Sequence, residues 1–139
     1  MPSGKQKNEM DQTLQPDAAA LAAEHFARGN GLRGLGRNLE AVEAYDRALA
    51  LKPDYPEALN NRGNSLRELK RFAEALDSFD RAIAIRPGHA RAHTNRGNVL
   101  RDLKRFEDAL ASHERALQLN PANAIALVNR GNSLRDLKR

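Results

Sequence analysis

Over residues 56–71, PEALNNRGNSLRELKR, the apolar or small positions Leu59, Gly63, Leu66 and Leu69 fall at i, i+4, i+7 and i+10. That spacing is one stripe of an α-helix, and the positions between are polar or charged. The following stretch, RFAEALDSFDRAIAIRP, keeps helical spacing with Phe72, Ala75, Leu76, Phe79, Ala82 and Ile83, and it stops at Pro87, which cannot continue a helix. Two helices joined by a short polar turn form a hairpin, and the hairpin recurs. NRGNSLRELKR starts at Asn61, NRGNVLRDLKR at Asn95 and NRGNSLRDLKR at Asn129, each copy 34 residues after the last. A fixed period of this size predicts hairpins stacked into a solenoid, in which each unit buries its apolar face against its neighbours.

The small residues recur in the same register. Gly29, Gly63, Gly97 and Gly131 lie in the first helix of each unit, which we call helix A, and Ala41, Ala75 and Ala109 lie in the second, helix B. A longer side chain there would hold the helix backbones apart. Ala48, Ala82 and Ala116 do the same toward the next hairpin, and Pro53, Pro87 and Pro121 close the units. Gly and Leu in helix A, Ala-x3-Phe or Tyr in helix B, then Ala and Pro, at a 34-residue period, resemble the tetratricopeptide repeat and are most similar to bacterial multi-repeat arrays. The resemblance implies an all-α, right-handed superhelix of antiparallel helix-turn-helix hairpins. It divides the chain into repeats at 22–55, 56–89 and 90–123 and a half repeat at 124–139, within an array spanning 17–139.

Repeat one is the least regular. Asn38 stands where Phe72 and Phe106 stand later, and GNGLRGLG loads helix A with glycines that cost roughly 1 kcal/mol each relative to Ala. It is expected to be the loosest hairpin. DAAALAAEHFARG is a good helix former with a start at Pro16–Asp17, so this helix A is expected to extend toward the N-terminus. Residues 1–16 are expected to be a disordered tail. At the other end Leu127, Leu134 and Leu137 have no following helix B to cover them. The expectation is a fragment of a longer array, or self-association over the bare edge.

Composition narrows the classes of function. With no cysteine, disulfides and thiolate zinc sites are excluded, and a reducing compartment fits. No stretch approaches the roughly 20 apolar residues of a membrane span, and the start lacks a signal-peptide core, so a cytoplasmic protein with no membrane partner is expected. The net charge of +5 favours anionic partners, but Lys and Arg alternate with Asp and Glu. Aromatics at 4% leave no stacking platform for single-stranded nucleic acid, which argues against that partner.

No residue pattern suggests catalysis. His25 and His93 occupy the register position of Leu59 and Leu127, and His113 replaces Phe79 and Tyr45, so the histidines fall on packing faces. His89 and His93 have metal-pair spacing, but no third ligand recurs nearby. No metal, cofactor or catalytic residue is expected, and the chain reads as a non-enzyme. Arg28, Arg62, Arg96 and Arg130 replace the family's usual apolar residue beside the packing glycine; their guanidinium groups are expected to reach Asp46, Asp80 and Glu114 on helix B.

The face of helix A opposite the Leu–Gly stripe carries Asn61, Asn64 and Glu68, with Asn60 and Arg67 beside them. Stacking sets Asn61, Asn95 and Asn129 above one another, then Asn30, Asn64, Asn98 and Asn132, then Arg33, Arg67, Arg101 and Arg135. Asn is a poor helix former, so seven in register within helices call for a reason. A carboxamide both donates and accepts, which suits the backbone of an extended peptide. In the family, helix A lines the concave surface, and the register of Asn61, Asn95 and Asn129 is similar to the asparagine ladder in the tetratricopeptide superhelix of O-linked N-acetylglucosamine transferases, which grips peptides by their backbone.

The resemblance therefore implies a protein-interaction scaffold holding extended or acidic peptide segments in its groove. Two rivals stand beside it: the substrate-recruiting N-terminal array of a larger glycosyltransferase, and an electrostatic binder of nucleic acid or acidic proteins. The family's chaperone-tail clamps are matched at Asn30, Asn61 and Arg91. Phe26 and Asn95 stand where those clamps carry Lys and Arg, which speaks against chaperone C-terminal tails.

Overall fold

A computed structural model of the chain describes residues 17–138; the expected tail at 1–16 lies outside the described residues. Seven α-helices, and no strand, form among them: α1 (Ala18–Gly34), α2 (Asn38–Leu51), α3 (Pro56–Glu68), α4 (Phe72–Ile85), α5 (Ala90–Asp102), α6 (Phe106–Leu119) and α7 (Ala124–Leu137). The ends follow from local chemistry. Asp17 Oδ1 accepts the Ala20 N–H at 2.7 Å and caps α1, which runs 17 residues against 13 in α3 and α5, the extension expected from the Ala-rich start. The even helices α2, α4 and α6 each end two residues before Pro53, Pro87 or Pro121.

The odd helices α1, α3 and α5 end in a common motif. Arg37, Arg71 and Arg105 donate their N–H back to the carbonyls of Leu32, Leu66 and Leu100, with a left-handed residue in the preceding position. In repeat one that residue is Gly36 at φ 75°, which pays no steric penalty; in the next two it is Lys70 at 61° and Lys104 at 60°.

Helices α1, α3 and α5 each pack most extensively on the even helix that follows, and α3 and α5 less so on the one before. The odd helices also touch one another, α1 with α3, α3 with α5 and α5 with α7, whereas no even helix touches another even one. A stack that is closer on one side curves toward that side. The odd helices, helix A of each repeat, therefore line the concave face.

The register glycines are where the two helices of a hairpin meet. A Cβ on Gly29 would lie 2.6 Å from Tyr45 Cε1 and one on Gly63 2.5 Å from Phe79 Cε1, and one on Gly97 would overlap the His113 imidazole. Tyr45, Phe79 and His113 are fully buried there; Tyr45 shares its core with Ala41 and Leu59, and Phe79 with Leu66, Ala75 and Val99. Gly131 in α7 has open space instead, and Leu127 and Leu134 are 51% and 37% exposed, where their register mates Leu59 and Leu66 are at 0%.

On the flank of each hairpin Arg62 Nε meets Asp46 at 2.6 Å, Arg96 Nε meets Asp80 at 2.6 Å and Arg130 Nε meets Glu114 at 3.7 Å, as the register predicts. Asn38, the irregular position of repeat one, has a buried Oδ1 without a hydrogen-bond partner.

Candidate functional site

All seven ladder asparagines lie half-buried on the concave face, and they are not equivalent. Asn61 Nδ2 donates to Asn30 Oδ1 at 2.9 Å, and the Tyr45 hydroxyl donates to the same oxygen at 2.6 Å. Asn95 Nδ2 donates to Asn60 Oδ1 at 3.0 Å, and Asn60 Nδ2 points back to Asn61 Oδ1 at 3.5 Å. A run of carboxamides thus crosses three repeats, from Asn95 through Asn60 and Asn61 to Asn30. Asn60, only 5% exposed, is its hub, and it sits one position off the ladder.

That run stops at the next repeat because Thr94 stands in the register of Asn60 and turns its hydroxyl to the Ala90 carbonyl of its own helix. Asn129 is left with no hydrogen-bond partner among the described residues, and Asn64 is likewise unpartnered.

The remaining two rungs have their oxygens occupied. His113 Nε2 lies 3.2 Å from Asn98 Oδ1, and Arg135 Nη2 donates to Asn132 Oδ1. A carboxamide oxygen cannot donate, so His113 carries its proton on Nε2, and Nδ1 accepts the Ser133 hydroxyl at 3.0 Å. Burial holds the His113 pKa down to about 4, so the ring is neutral. Burial also raises the Tyr45 pKa, with Arg33 and Asn61 partly opposing it, and keeps the phenol a donor.

Two of the four arginine rungs are neutralised from within. Arg67 Nε meets Asp102 Oδ2 at 2.5 Å, and Arg101 Nε meets Asp136 Oδ2 at 2.6 Å, each across 35 residues and therefore between consecutive repeats. Arg33 has no such partner among the described residues, although Glu68 occupies the matching register. Arg33, Asn64 and Arg67 come together with Glu68 and Asn38 around an open cleft of about 380 Å³ between the first two repeats. The groove is polar and nearly balanced in charge, not a cationic channel.

Three of the four histidines, His89, His93 and His113, are engaged in structure. His89 Nδ1 accepts the Ala92 N–H at 3.2 Å and caps α5, and His93 Nε2 lies 2.8 Å from the Pro87 carbonyl. Among the described residues no group of three or more His, Asp or Glu is placed to hold a metal ion. None of their helices is long and apolar enough to cross a membrane.

Asn60 and the inter-repeat ion pairs were not singled out by sequence reasoning. The signal existed for the latter, since Glu68, Asp102 and Asp136 follow Arg67, Arg101 and Arg135 by one residue in every copy.

Models described as tetratricopeptide repeat match residues 26–90 and 90–123. The chain belongs to the tetratricopeptide repeat family. Its structure is similar to the first such domain of Spaghetti (RPAP3) bound to the HSP90 peptide SRMEEVD, at 26% identity, covering 87% of this chain and 96% of that one with a TM-score of 0.85. It is also similar to the first such domain of human RPAP3, at 27% identity over 85% and 93% of the two chains, TM-score 0.83. The Arabidopsis OM64 domain, at 24% identity over 85% and 98%, TM-score 0.83, shares the fold. No curated protein matches the chain.

Proposed function

We propose that this tetratricopeptide array is an interaction scaffold that holds extended segments of partner proteins along its concave face, through Asn64, Asn98, Asn129 and Asn132 and the flank of Arg33. The observation that carries the reading is the cleft where Arg33, Asn64 and Arg67 converge, with the Asn64 carboxamide half-exposed and unpartnered. Packed odd helices are spaced about 8–10 Å apart. An extended chain rises about 3.3 Å per residue, so three residues of peptide step from one rung to the next.

Asn61 and Asn95 contribute the fixed backing of the groove, since each already donates to a neighbouring repeat, while Asn30 accepts through its oxygen and keeps its NH2 for the groove. Arg67 and Arg101 act chiefly as inter-repeat ties through Asp102 and Asp136, which supports peptide over a phosphate backbone as the ligand.

The Spaghetti domain, with its bound HSP90 peptide, supports the mode of binding rather than the ligand. Here Phe26 packs on Tyr45 and Tyr55, with ring centroids 6.1 and 5.0 Å apart, and Asn95 is tied to Asn60. Both positions where a chaperone-tail clamp carries a cation are thus taken up by packing or internal bonding.

The test is selection from a random peptide library on the whole chain, followed by mapping of the best ligand through backbone amide shifts. Perturbations confined to the odd helices are expected. A ligand that perturbs the outer faces of α2, α4 and α6 instead would refute the assignment.

A further inference from the structure

Tyr45, Phe79 and His113 fill the same seat in successive hairpins, each beneath the register glycine of its helix A and therefore directly behind a groove asparagine. The three differ in one respect that matters to the groove. Tyr45 and His113 carry an N–H or O–H that passes beside the glycine to the asparagine oxygen, Asn30 at 2.6 Å and Asn98 at 3.2 Å, in both cases fifteen residues back. Phe79 has no such group, and Asn64 in front of it is unpartnered.

We propose that Tyr45 and His113 are positioning residues that set the polarity of the groove. By holding the oxygens of Asn30 and Asn98 toward the core, they turn the NH2 groups of these carboxamides outward. The groove then offers donors at those rungs, and its ligand supplies acceptors: backbone carbonyls or side-chain carboxylates of an extended peptide. The proposal rests on the peptide-groove reading for the ligand, but not for the orientation of the carboxamides.

Two further observations point the same way. Asn132 Oδ1 is also occupied from within, by Arg135, so a third rung presents its NH2. Behind His113 the imidazole is itself oriented, because Ser133 engages Nδ1 from α7 and Nε2 is left to carry the proton toward Asn98. With its pKa held down by burial, the ring keeps this arrangement through neutral pH.

The repeats provide their own controls. Phe79 lies beside Val99 in the register where His113 lies beside Ser133, so His113→Phe with Ser133→Val reproduces a pair the fold already accommodates. His113→Tyr reproduces the Tyr45 arrangement next to Ser65, a serine already buried without a partner, and restores a donor behind Asn98.

The first measurement needs no ligand: 15N relaxation of the side-chain NH2 groups in the free chain. Asn98 and Asn30 are expected to be as rigid as the helix backbone, and Asn64 to be as mobile as the exposed Asn120. In His113→Phe/Ser133→Val only Asn98 should loosen, and in His113→Tyr it should stay rigid. A merely structural role for His113 would change the melting temperature without this pattern. An Asn98 side chain equally mobile in all three proteins overturns the proposal, whether or not any peptide binds.

The second measurement uses the best selected peptide. Backbone N-methylation removes donors and keeps carbonyls, so it should be tolerated within about twofold opposite Asn98. His113→Phe/Ser133→Val should weaken binding about fivefold, the order expected for one lost oriented hydrogen bond, and His113→Tyr should recover most of it. Rigid asparagines with no peptide bound by the groove would sink the peptide reading and leave the orientation standing. Tight binding unaffected by the Phe/Val pair would overturn the specificity role.

Discussion

His113 should make the stability of this chain depend on pH in a way its register mates do not. In the unfolded chain an imidazole titrates near 6.5, whereas in the fold burial holds it to about 4. Between those values the unfolded state binds a proton that the folded state refuses, so stability falls as the pH falls. The contribution is fully present above about pH 6.5 and is lost as the pH drops through about 4. A gap of about 2.5 units at 1.36 kcal/mol each is worth roughly 3 kcal/mol at the acid end. The perturbation is the His113→Phe/Ser133→Val pair, which removes the titrating ring and keeps its volume. The assay is urea unfolding followed by helix ellipticity at intervals from pH 7.5 to 3.5, comparing the two proteins at each pH. Carboxylates common to both largely cancel in the difference. The variant is expected to gain on the wild type steadily below pH 6.5, by about 3 kcal/mol at pH 4. Parallel curves over that range would show that the ring protonates freely in the folded state, and the account of its burial would be wrong.

Lys70→Gly and Lys104→Gly should each raise stability by roughly 0.5–1 kcal/mol in the same urea assay, because both lysines hold a left-handed backbone that Gly36 adopts without penalty; a loss would mean that their charge at the helix C-terminus outweighs the strain. Residues 1–139 prepared alone should self-associate in sedimentation over a concentration series, since Ile125 and Val128, 68% and 63% exposed, extend the patch of Leu127, Leu134 and Leu137; a concentration-independent monomer would contradict this. Added zinc or chelator should leave the melting temperature unchanged, because His89, His93 and His113 are engaged by Ala92, Pro87, Ser133 and Asn98; a zinc-dependent rise abolished by His93→Ala would count against it.

Most of the fold is readable in the chain itself. The 34-residue period, the apolar stripes and the prolines place the hairpins, and the recurrence of Gly63 opposite Phe79 and of Arg62 with Asp46 yields contacts that the structure contains. The first contact lies within one hairpin and the second between adjoining helices of consecutive hairpins, where register alone decides who meets whom. The groove was legible only as a surface. Whether a carboxamide faces solvent or another carboxamide depends on how closely the odd helices approach, and no single-helix pattern carries that distance. Asn95 and Asn129 look identical in sequence; they differ because the residue across from the first is Asn60, whose carboxamide oxygen accepts, and across from the second is Thr94, whose hydroxyl turns to its own helix. The same holds for Arg33 and Arg67, of which only the second is drawn to the acid of the next repeat.

The central claim is that unpartnered carboxamides on the concave face hold an extended peptide, and the double variant Asn64→Ala/Asn129→Ala tests it most directly. Neither side chain has an internal hydrogen bond to lose, and Ala is the better helix residue, so the melting temperature should hold or rise. If each carboxamide gives the peptide one hydrogen bond of roughly 1 kcal/mol net, the pair should lower affinity by about thirtyfold in a calorimetric titration with the selected ligand. An unchanged Kd in a variant that folds normally would contradict the account and leave these asparagines as a solvated face.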